Sequence, residues 1–170
     1  MKFHPKNMCI FFVVIIVLCL HFTLNLNAES PKEGKVLREK FVQEAMSHLG
    51  TPYKYGGYEA DGFDCSGLIF YSSRESIKVQ LPRTASAIHR FVKEIKLEDC
   101  QKGDLLFFKT TTSGKISHVG IYLGNAEFIS SISDGSKTGV VISSMNHSYW
   151  KEKFYSAGRF LPEIKYEESL

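Results

Sequence analysis

The first apolar feature of the chain is a block. Cys9 to Leu20 is an almost unbroken hydrophobic run, with Lys2 and Lys6 before it and Leu26-Asn27-Ala28 after it. A basic start, a short apolar run and a small residue at its end form the pattern of a secretory signal. The run is shorter than the roughly 20 residues of a membrane span. Residues 1–28 are therefore expected to be a signal peptide, and the protein to be exported to the periplasm or cell envelope. An uncleaved N-terminal anchor is the alternative, because Leu26 stands where a small residue is preferred before the cut. A lipoprotein fits less well: Cys19 follows Ile16-Val17-Leu18 rather than small residues.

Beyond the block the period becomes helical and then switches to two. Residues 29–35 are polar and read as a short disordered lead. Leu37, Phe41, Val42, Ala45, Met46 and Leu49 recur at helical spacing and predict a helix over 36–49, closed by Gly50. Residues 50–64 carry Pro52, Gly56, Gly57 and Gly62 and predict a long irregular loop. A second helix runs from Cys65 to about Ile77. A third, capped by Thr84, runs to about Lys93. Strands follow at Asp104–Lys109, Ser117–Leu123, Glu127–Ile132, Gly139–Ser143 and Phe154–Leu161, with one helical turn at 146–152. Helices first and an antiparallel meander second is an α+β layout. The domain is expected over 36–162, with a charged tail at 163–170.

Composition narrows the classes. At 170 residues and 44% hydrophobic content the chain can build one real core. A net charge of +3 without a basic cluster gives no footprint for nucleic acid. No Cys/His/Asp/Glu grouping has ligand spacing, so no metal is expected; no organic cofactor and no stable protein partner are expected either. Two of the four cysteines, Cys9 and Cys19, lie in the signal. Cys65 and Cys100 remain, and two cysteines in an oxidising compartment suggest a disulfide by default.

Local chemistry offers a different use for one of them. In Asp64-Cys65-Ser66-Gly67 the cysteine opens a helix after a glycine-rich loop. Free N–H groups and the positive dipole end there favour thiolate, the nucleophilic form. A buried structural cysteine is the competing reading. In Ser117-His118-Val119-Gly120 a histidine stands near the start of an alternating strand and would supply a base for a thiol nucleophile. Alone it reads first as a solvated or hydrogen-bonded histidine. His48, His89 and His147 are expected at the surface.

The segments Gly50-Thr51-Pro52-Tyr53-Lys54-Tyr55-Gly56-Gly57, Asp64-Cys65-Ser66-Gly67, Leu81-Pro82-Arg83-Thr84, Gly103-Asp104-Leu105-Leu106-Phe107-Phe108 and His118-Val119-Gly120-Ile121-Tyr122-Leu123-Gly124 occur in that order. Val141-Ile142-Ser143-Ser144 and Tyr149-Trp150 follow. In this the chain resembles the NlpC-type family of peptidoglycan endopeptidases, over about residues 37–161. The resemblance is nearest to small single-domain members that act on murein stem peptides. It implies a truncated papain-like fold, with N-terminal helices packed on a five- to six-stranded antiparallel sheet. It implies Cys65 as nucleophile, His118 as base and a third polar residue orienting the imidazole. That residue is usually histidine; here Phe128-Ile129-Ser130-Ser131 puts Ser130 in its place, with a shorter reach that a bridging water would extend.

The implied activity is a cysteine endopeptidase that cuts peptidoglycan stem or cross-link peptides through a thioester. Tyr53, Asp64, Ser66 and Arg83 are candidate substrate-binding residues, with Arg83 placed to receive a substrate carboxylate. Loop packing for Tyr53, a helix cap for Asp64 and solvation for Arg83 are their structural alternatives. Cys100 is then a spare thiol, since pairing would disarm Cys65. Two other functions stay open. One is an amidase or acyltransferase on the same fold. The other is a catalytically weakened wall-binding module, suggested by Ser130.

Overall fold

The computed structural model describes residues 31–133 and 138–162; the expected signal peptide at 1–28 and charged tail at 163–170 lie outside the described residues. Helix α1 spans Pro31–Ser47. It begins ahead of the predicted residue 36, so most of the expected disordered lead is helical. Gly34 explains why: it packs against Pro162 while Lys32, Glu33 and Lys35 occupy other sides of the turn. Phe41, Val42 and Ala45 form the buried stripe of α1, and Arg38 lies in the same register.

The loop from 50 to 64 is not wholly irregular. It holds a two-stranded antiparallel hairpin, β1 (Tyr58–Glu59) with β2 (Gly62–Phe63). Strands of two residues show no period, which is why the pattern missed them. Helix α2 (Cys65–Ile77) starts where expected. Helix α3 (Ala85–Phe91) is capped by Thr84 but ends before Lys93. Residues Lys93–Ile95 instead form β3, paired with the last strand.

The main sheet holds β3, β4 (Leu105–Phe108), β5 (His118–Gly124), β6 (Glu127–Ile132), β7 (Gly139–Ser144) and β8 (Phe154–Arg159). Its order is β3-β8-β4-β5-β6-β7 and every pairing is antiparallel. The six strands and the preceding helices give the expected α+β, papain-like arrangement. Helix α4 (Ser148–Lys153) leads into β8. Alternation along the strands divides the core. One face of the sheet carries Phe107, Val119, Ile121, Ile129 and Val140 against Phe41, Leu68 and Ile69 of the helices. The other carries Leu106, Phe108 and Phe128 with Met145 and Trp150.

A buried ion network ties the ends of the domain together. Asp104, fully buried, accepts from Arg38 Nη1 at 2.9 Å and from Arg159 Nη2 at 2.8 Å. Arg38 also donates to the carbonyls of Lys102, Leu161 and Pro162. A charged residue in phase with the apolar stripe of α1 was the sequence signal for this network, and it was missed. His48 and His89 also depart from expectation. His48 packs edge-on against Phe63 and Tyr71. His89 packs on Phe107 and bonds Ser156 Oγ at 3.0 Å. His147 is exposed and caps α4 through Nδ1.

Candidate active site

Cys65 is the first residue of α2 because Asp64 ends the loop with extended backbone and caps the helix. Its Oδ1 accepts the Gly67 amide at 2.7 Å. The same carboxylate accepts from Gly56 N, Ser66 Oγ and both terminal nitrogens of Arg83, the last two at 2.8 Å. Arg83 further donates to Gly57 O at 2.9 Å and Ser66 Oγ at 3.0 Å. Asp64 is thus a helix cap saturated by donors. Arg83 and Ser66 are its internal partners, and the bonds of Arg83 go to the protein itself rather than outward. These contacts lash the glycine-rich loop onto the helix start. Contact is close: a Cβ at Gly67 would lie 1.9 Å from Gly57 O.

The sulfur faces the beginning of β5. Cys65 Sγ donates to Ser117 O at 3.8 Å and receives the Val119 amide. It therefore touches the backbone on both sides of His118. Burial and the Asp64 carboxylate push the thiol up to about 11, while the amides of Val119, Ser66 and Cys65 pull the other way. Burial alone pushes the His118 imidazole down to about 4. Both groups are therefore neutral at pH 7. The helix start does favour thiolate, as the sequence suggested, but the cost of desolvation exceeds that help.

His118 is only 7% exposed. Its Nε2 meets Ser130 Oγ directly at 3.1 Å, so no bridging water is required. Register explains the reach: β6 pairs with β5 with Ile129 opposite Ile121, which sets the fully buried Ser130 of β6 diagonally across from His118. Trp150 stacks on the ring at 5.1 Å between centroids and 28° between planes. The Tyr149-Trp150 pair was visible in the sequence, but no signal tied it to His118 before α4 was placed. Tyr53 also lies at the site. Burial first, then the nearby Cys65 and Asp64, raise its phenol, and it hydrogen-bonds Ser133. Cys100 is a free thiol in a separate place, beside Asp104 and Arg159, and no disulfide joins it to Cys65.

An antiparallel sheet backed by helices, with Cys65 at the start of α2 and His118 at the start of β5 behind it, is a papain-like α+β arrangement. Residues 50–159 match the sequence pattern of the NlpC/P60 family, and the chain belongs to that family. It is 36% identical over 137 residues to murein DD-endopeptidase MepH of Escherichia coli strain K12, covering 79% of this chain and 48% of that protein. It is 43% identical over 122 residues to the probable peptidoglycan endopeptidase LytE of Bacillus subtilis strain 168, covering 71% and 34%. An NlpC/P60 family protein from Bacillus cereus superimposes with a TM-score of 0.67 at 30% identity, covering 74% of this chain and 40% of that one. The chain thus spans about half the length of MepH and a third of LytE.

Proposed function

We propose that this protein is a cysteine endopeptidase that hydrolyses peptide bonds in peptidoglycan, outside the cytoplasm. The observation that carries the reading is the ordered array of Cys65, His118 and Ser130, with the sulfur bonded to the backbone flanking His118 and Nε2 bonded to Ser130. Similarity to proteins named as peptidoglycan and murein endopeptidases supports the substrate class.

The mechanism follows from the neutral resting pair. With Nε2–H donating to Ser130, Nδ1 holds the lone pair. As sulfur attacks the scissile carbonyl, or another electrophile, the thiol proton passes to His118 in step with the attack. The amides of Cys65 and Ser66 already point at the sulfur and are the donors available to the developing oxyanion; that of Gly67 is held by Asp64. Collapse of the tetrahedral species gives the thioester, and the imidazolium returns its proton to the departing amine. Water, activated by the same imidazole, then hydrolyses the thioester and restores the thiol. Tyr53 borders this space, while Asp64, Ser66 and Arg83 shape it by fixing the loop. The direct bond from Ser130 to His118 favours a working hydrolase over a weakened wall-binding module.

Alkylation tests the reading. Iodoacetamide should label Cys65 ahead of Cys100, whose thiol is pushed up to about 12 and lies apart from His118. Protein labelled at Cys65 should release no peptide fragments from purified peptidoglycan. Undiminished release would overturn the assignment.

A further inference from the structure

The hydrogen bond from Ser130 anchors His118 at a single atom, Nε2. One uncharged contact holds a point of the ring and leaves its plane free to turn. The plane is set by aromatic neighbours. Trp150 lies nearly parallel to the imidazole at 5.1 Å and 28°, and Phe108 leans on it at 5.8 Å and 52°. Trp150 is itself wedged edge-on against Phe108 at 5.0 Å and Phe128 at 5.1 Å. Its short helix is fixed at both ends. His147 Nδ1 accepts from Tyr149 N at 3.3 Å, and Lys153 O accepts from Lys109 N at 2.9 Å.

We propose that Trp150 is the positioning residue for His118: its indole face sets the plane of the imidazole and keeps water from it, completing what Ser130 holds at one atom. Small errors in the placement of a base are costly for rate, so a rigid planar neighbour compensates for a short uncharged partner. The inference rests on His118 acting as the base of the proposed hydrolase.

Three variants separate stacking from space filling. Trp150→Leu keeps apolar bulk without a face; Trp150→Phe keeps a face; Ser130→Ala removes the point anchor. The assay is turnover of purified muropeptides, with rates referred to the folded fraction from thermal melts. Trp150→Leu should lower kcat roughly 10-fold or more with KM within about twofold, and Trp150→Phe should recover most of the loss. Combining Trp150→Leu with Ser130→Ala should cost more than the product of the two single effects, since both hold one ring. The spectroscopic arm uses the unmodified protein. The His118 ring proton, assigned through His118→Gln, should be shifted upfield by the indole and return towards its ordinary position in Trp150→Leu. Equal activity of the Leu and Phe variants overturns the proposal, and so does an unshifted His118 proton in the wild-type protein. Wild-type protein that cleaves nothing while showing the upfield shift would remove the hydrolase reading and leave the stacking in place.

Discussion

At Cys65 two influences oppose each other. Amides at the helix start draw the thiol towards ionisation, while burial and the adjacent Asp64 carboxylate raise it to about 11. Removing the carboxylate removes one of the opposing causes. Asp64→Asn should therefore lower the thiol's pKa and speed alkylation by iodoacetamide at pH 7, at a cost of about 1 kcal/mol from the weakened cap. An alkylation rate that falls or stays constant would contradict this electrostatic account. Ser130 offers a second test. Because it bonds His118 Nε2 and carries no charge, Ser130→Ala should lower kcat about 3- to 30-fold without abolishing turnover, read from initial rates on muropeptides. Serine at 130 was legible as a departure from the histidine the resemblance implied. Its direct 3.1 Å bond was not, because reach depends on strand register and the sequence carries none.

Among elements, the junction of the glycine-rich loop with α2 sets the geometry of the site. Asp64 caps the helix, Arg83 joins that cap to Gly57, and Arg74 meets Glu59 at 3.2 Å to hold the β1–β2 hairpin. Gly67 is required by contact: a Cβ there would overlap Gly57 O at 1.9 Å. Gly67→Ala should destabilise the protein by about 2–3 kcal/mol in urea unfolding and displace the loop from Cys65, lowering activity by more than stability alone explains. Elements with a clear pattern were legible in advance: α1 and α2 from apolar residues at helical spacing, β4 from a short apolar run and β5 to β8 from strand-like runs between turn residues. The hairpin within 58–63 and the edge strand Lys93–Ile95 were not. The first is too short for a period. The second exists because Val92 leaves the helix with extended backbone at φ −85°, ψ 154° and packs on Gly158 of β8.

For the molecule as a whole, buried ionisable groups couple stability to pH. His118 in the folded protein is held at about 4, below its ordinary 6.5. The unfolded chain therefore takes up that proton first as pH falls. The contribution is fully present above pH 6.5 and is lost on descent to about pH 4, with an upper size of about 3 kcal/mol. Urea unfolding between pH 4 and 7 should show stability rising with pH, and His118→Gln should flatten that slope. The Arg38–Asp104–Arg159 network is a separate structural element. Asp104→Ala leaves the buried Arg38 and the partly buried Arg159 without their shared carboxylate and should cost about 3–5 kcal/mol in the same measurement.

In the proposed reaction Cys65 attacks a peptide bond of peptidoglycan. Mass spectrometry of a defined muropeptide mixture, incubated with wild-type protein or Cys65→Ala, reads that step at its products. The wild-type protein should yield new peptide fragments, each pair summing to the parent plus one water. Cys65→Ala, whose thermal melt stays cooperative, should yield none. Fragments produced equally by the folded Cys65→Ala protein would contradict it.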